Sequence, residues 1–325
     1  MNRSLGREIA ACAALGLSGL AVASLLSSRD EQPLASPARP RAKATRLRGF
    51  STRATVTAAR RLNRAAGTLA LSVLADSGVE HYRGSFKNKA MFTPLVVSAL
   101  TLGISLHGTA DTRPLAHRAR DVIYMLAAAT GLLGSGFHFY NVGKRTGGFS
   151  WQNLFYGAPL GAPIAILLAG LLGFCSERVR ESRAGERPEI FGLPAARTIA
   201  AVSSAGLLGT AGEAGLLHFR GAYHNPFMAV PVTLPPLGAV LLGRIAAAKG
   251  GGRHNLARWW MRLLTAVGLA GVGFHAYGVS RNMGGWRNWS QNVLNGPPLP
   301  APPSFSALAM AGLAALGLME EHPDA

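Results

Sequence analysis

Beyond residue 65 the chain is a succession of eight apolar stretches, near 66–82, 91–108, 121–140, 157–175, 196–219, 227–246, 259–278 and 304–319, with short polar segments between them. A helix of about 20 apolar residues crosses about 30 Å of hydrocarbon. In that solvent every backbone N–H and C=O must be satisfied within the protein, which leaves helices and closed barrels as the spanning forms. Stretches of this length predict helices. The expected fold is therefore an all-α integral membrane protein with eight core transmembrane helices. The first stretch is weakened by its acids and the eighth by its length.

A formal net charge of +18 over 325 residues would point to nucleic acid in a soluble chain. Here the charge sorts by loop instead. Segments 27–64, 109–120, 176–197 and 244–258 hold twenty-two Lys and Arg, whereas 83–90, 141–156, 220–226 and 279–303 hold eight. Basic loops stay in the cytoplasm during insertion. The first set and the C-terminus are thus expected there, and the other four loops outside. A lipid bilayer, not a nucleic acid, is the partner this pattern implies. With Arg supplying 28 of the 33 basic residues beside abundant Ala and Gly, a bacterial inner membrane is the expected location.

Residues 1–26 are apolar after Arg3 and Arg7 and read as an N-terminal anchor or signal-like helix. Residues 27–64, rich in Pro, Ser and Arg, read as a flexible basic linker. Cys12 and Cys175 lie far apart in apolar segments and suggest no disulfide framework.

An internal repeat organises the rest. His81-Tyr82-Arg83-Gly84-Ser85-Phe86-Lys87-Asn88 returns 137 residues later as His218-Phe219-Arg220-Gly221-Ala222-Tyr223-His224-Asn225. At the same offset Gly136-Phe137-His138-Phe139-Tyr140 pairs with Gly273-Phe274-His275-Ala276-Tyr277, and Gly147-Gly148-Phe149 with Gly284-Gly285-Trp286. After a two-residue insertion, Gln152-Asn153, Gly157, Pro159-Leu160 and Pro163 match Gln291-Asn292, Gly296, Pro298-Leu299 and Pro302. Chance does not align so many polar residues at one offset. Two tandem four-helix units, 65–178 and 195–320, are expected. An even number of spans in each gives them parallel topology, related by an axis along the membrane normal.

The matched polar residues gather at the exterior face. His81, His138, His218 and His275 all end spans there, and histidine is the usual haem and metal ligand in such helices. Glycines just before His138 and His275 would let a flat macrocycle approach, and Arg83 and Arg220 are placed to pair with its propionates. Asp76 and Glu213 match one another inside spans, where charge is costly and usually functional. They suit orientation of a histidine or relay of protons. The expected function is a histidine-ligated haem b or metal electron-transfer subunit, working between a periplasmic redox enzyme and quinone. Two alternatives stand beside it, a transporter-like permease with paired repeats and a non-catalytic membrane anchor for an exterior enzyme.

Overall fold

The structure, a computed structural model, describes residues 52–157, 159–183, 185–248 and 253–321. The expected N-terminal helix over 1–26 lies outside these residues, as does the linker up to residue 51. Eight long helices carry the fold: α1 (Thr52–Arg83), α2 (Thr93–Ala110), α3 (Arg118–Gly143), α5 (Gly161–Arg180), α6 (Ala195–Arg220), α7 (Val230–Ala247), α8 (Asn255–Arg281) and α10 (Pro303–Glu321). Two short ones, α4 (Trp151–Tyr156) and α9 (Trp289–Asn295), lie in loops. A two-residue hairpin pairs Glu189 with Pro194 and Ile190 with Leu193. Seven helices are long and apolar enough to cross a membrane, α2, α3, α5, α6, α7, α8 and α10.

The remaining long helix, α1, corrects the linker boundary. Helix begins at Thr52, so 52–64 is not a flexible tether. The physical reason is a buried stripe, Ala58, Leu62, Ala65, Ala66 and Leu69, at helical spacing and almost wholly shielded. The arginines of this stretch sit around the stripe, and Arg60 Nε donates to Thr109 O, at the end of α2, at 2.7 Å. Because α1 packs on α2, α5 and α10, protein surrounds it. It can carry Asn63, Thr68, Ser72 and Ser77 in buried positions that a lipid-facing helix would not tolerate.

Packing is layered. Only 22% of the apolar window is buried in α2, α3, α7 and α8, against 78% in α10. The first four form the lipid-facing rim. In the first half α1 and α3 each pack on α2 and α5, so α1 and α3 lie across a diagonal; α6 and α8 stand in the same relation to α7 and α10. Glycine permits the closest contacts. A Cβ on Gly131 would strike the backbone of Leu167, and one on Gly268 would strike the Ser306 hydroxyl. Three residues on, Gly134 and Gly271 receive Pro163 and Pro302. These two glycines serve helix contact, whereas Gly136 and Gly273, two residues before each histidine, face open space.

At the end opposite the histidines, the first half holds a buried charged network. Arg120 and Glu177 are fully shielded and meet at 2.9 Å; Arg120 Nη1 also reaches Asp111 at 2.9 Å. Arg180, equally shielded, donates to the carbonyls of Gly108 and Asp111, each at 2.7 Å. Tyr124 donates to Asn63, and Ser105 lies 3.1 Å from the Tyr124 hydroxyl. The positions offset by 137 or 139 residues are apolar without exception: Ala200 for Asn63, Leu242 for Ser105, Ala248 for Asp111, Ala257 for Arg120, Met261 for Tyr124, Leu316 for Glu177 and Met319 for Arg180.

Candidate functional site

The histidine face is built from the ends of helices and the loops joining them. Past His81, α1 ends in a tight return in which Ser85 (φ 56°) and Phe86 (φ 45°) are left-handed. Ala222 (φ 54°) and Tyr223 (φ 47°) repeat the turn after α6. Each such residue costs on the order of 1–3 kcal/mol unless its surroundings enforce it. Here the enforcement is visible. Phe86 N donates to His81 O at 3.0 Å and Tyr223 N to His218 O at 3.2 Å, and each aromatic ring stands edge-on to the histidine ring with centroids 6.2 Å apart. Asn88 and Asn225 then cap the next turn through Ala90 N and Phe227 N.

That return brings a carbonyl onto each first histidine. Nδ1 of His81 lies 2.6 Å from Met91 O, and Nδ1 of His218 lies 2.8 Å from Met228 O. The other two are held from the start of the fourth long helix of each half. His138 Nδ1 bonds to Pro159 O, and His275 Nδ1 lies 2.7 Å from Pro298 O. The glycine four residues earlier, Gly134 or Gly271, shares the histidine's helix face and admits the following proline, Pro163 or Pro302. One packing device thus positions both the helix and the imidazole.

A carbonyl oxygen only accepts, so Nδ1 carries the proton in all four rings and Nε2 is left with its lone pair. This is the tautomer an axial ligand needs, with the second-nitrogen bond fixing ring orientation. The structure brings the histidines together in pairs within each half. The rings of His218 and His275 have centroids 6.5 Å apart with planes at 65°. In the first half the rings of His81 and His138 are each tied to a carbonyl, Met91 O and Pro159 O.

The remaining predicted residues are placed less uniformly. Arg83 pairs with Glu80 at 2.7 Å, and the Arg220 guanidinium lies over the Tyr156 ring at 5.0 Å. Glu213 Oε1 accepts from Gly161 N at 3.2 Å, at the start of α5, where a helix dipole favours an anion. Asp76 lies within reach of the charges of Glu80 and Glu213. Among the described residues neither Asp76 nor Glu213 bonds to a histidine; carbonyls orient the rings. Trp259 is exposed as a belt residue would be, whereas Trp260 turns inward and donates to Leu234 O at 3.0 Å. Sequence reasoning missed the four orienting carbonyls and the buried network of Arg120, Glu177 and Arg180. The signal for the network was present, as polar residues in one copy facing apolar ones in the other.

No family model, no curated protein and no solved structure matches the chain.

Proposed function

We propose that the chain is a multi-pass electron-transfer subunit of a bacterial inner membrane, whose exterior histidine pairs hold haem b. It is built from two tandem, parallel-topology four-helix units, α1 being the eighth span. Recurrence of the turns, the carbonyl bonds and the glycine–proline contacts at one offset supports the repeat. The histidine pair His218–His275 carries the functional reading. Two Fe–N bonds of about 2.0–2.1 Å, with each ring centre about 1.1 Å behind its nitrogen, call for ring centres about 6.2–6.4 Å apart. The pair stands at 6.5 Å.

The ligand count favours haem over a bare ion. Protein sites for zinc and similar metals draw three or four ligands from side chains. Among the described residues no group of three His, Cys, Asp or Glu is placed to hold a metal ion. A porphyrin supplies four nitrogens itself and asks the protein for two, which is what each half offers. When bound, haem exchanges single electrons. The chain's own residues hold the imidazoles in the ligating tautomer, and Arg83 and Arg220 offer charge at the mouth. A soluble redox enzyme on the exterior side is the partner this placement suits.

Two measurements test the reading. Purified protein should show a reduced-minus-oxidised b-type spectrum on dithionite addition; its absence leaves the anchor alternative in front. Reporter fusions near residues 115, 185 and 250 should read cytoplasmic, and those near 87, 147, 224 and 290 exterior. The reverse pattern would move the histidine face, and its partner, to the cytoplasm.

A further inference from the structure

A single cavity of about 3080 Å³ runs from the second histidine pair across to the first half of the molecule. His218, His275, Asp76 and Glu213 all line it, while His81 and His138 do not. Ordinary small-molecule sites occupy about 300–1,000 Å³. This space holds a macrocycle and leaves room for a second, elongated molecule. Its walls are largely aliphatic, with Leu69, Val73, Ala205 and Leu168 among them. The carboxyls come from different halves, Asp76 from α1 and Glu213 from α6.

We infer that this cavity binds a lipid-soluble quinone beside the His218–His275 pair, with Asp76 and Glu213 as its proton donors; this rests on the haem reading above. A phospholipid tail would fit the apolar walls but gains nothing from two acids placed among them. A quinone ring needs both features. In the reductive direction it would take up two electrons, which a haem held by His218 and His275 would supply one at a time. Its two C=O groups become C–OH with two protons, one from each carboxyl, and the carboxylates are reprotonated from the exterior end of the cavity. Glu213 in its anionic form is steadied by Gly161 N–H at the head of α5. Asp76 lines the same cavity from α1.

Gly209 lines the cavity one turn before Glu213, and a Cβ there would meet nothing within 4 Å. Gly209→Trp therefore fills the space without breaking a helix contact. An azido-ubiquinone photolabel on the full-length wild type should mark peptides covering 69–80 or 205–217, compete with decylubiquinone, and fall at least about tenfold in Gly209→Trp. Reoxidation of the dithionite-reduced protein by decylubiquinone should slow about 100-fold in Asp76→Asn with Glu213→Gln, the scale of general-acid catalysis. The haem spectrum should be unchanged in that variant. Labelling confined to the lipid-facing surfaces of α2 or α3, or unchanged reoxidation with haem intact, overturns the quinone site alone. Specific cavity labelling in a wild type that shows no haem spectrum overturns the haem reading and keeps quinone binding.

Discussion

His275→Ala should lose about half of the reduced-minus-oxidised haem signal, and His138→Ala combined with His275→Ala should lose all of it. Each half offers two imidazoles, and the iron in a site of this kind depends on both. Removing one leaves the other ring tied to its carbonyl, Met228 O for His218, and takes away the second imidazole that a six-coordinate b-type signal requires. His224→Ala is the control. That ring bonds only to Gly221 O within its own turn, at 2.9 Å, and lacks a matching histidine in the first half. Its spectrum should be unchanged. A His275→Ala protein that elutes as wild type and keeps the full signal would place the ligands elsewhere.

The second large effect is expected at the opposite end. Glu177→Gln should destabilise the protein by about 3–5 kcal/mol, because it leaves the shielded Arg120 and Arg180 facing a neutral side chain. Arg120→Met should cost about as much, stranding Glu177 and half of Asp111's pairing. Replacing the whole set with its counterparts from the second half should cost far less. Those residues, Ala200, Leu242, Met261, Leu316 and Met319 among them, already pack in a shielded environment of the same shape. Unfolding midpoints in detergent read all three. A seven-fold replacement as damaging as the single ones would mean that the network holds something beyond structure. The pH dependence has a fixed sign. Hydrogen bonds from Arg113 and then Arg120, working against burial, hold the Asp111 carboxyl well below the usual range. Its contribution is complete above about pH 4, the value of a free aspartate, and is lost only as pH falls through the lowered folded value.

Helical class and membrane character were readable because apolar length and loop charge are local properties. The four histidines stand out in the sequence because a polar residue kept at one offset twice needs a reason, and the structure ties each of them to a carbonyl. What stayed hidden depended on three-dimensional neighbours. Thr52–Arg64 reads as a linker because its arginines outnumber its large apolar residues. Only the packing of Ala58, Leu62 and Ala65 against other helices reveals a face. Arg120, Glu177 and Arg180 counted as loop charge at span ends; their pairing appears when α3 and α5 are brought together. Gly134 and Gly271 were legible as close-approach sites, but the sequence could not say that proline, not a cofactor, makes the approach.

The depth of α10 has a consequence for how the molecule is made. It packs on α1, α6 and α8, and is the most enclosed of the seven apolar helices. It also follows all other described helices along the chain. The six apolar helices synthesised before it must therefore enter the membrane without it, leaving the small-residue faces of α1 and α6 uncovered. Until α10 arrives, α1, α6 and α8 all lack a helix they pack against. Quality control that recognises exposed small-residue faces would see every copy of this protein for the interval between the emergence of α8 and that of α10.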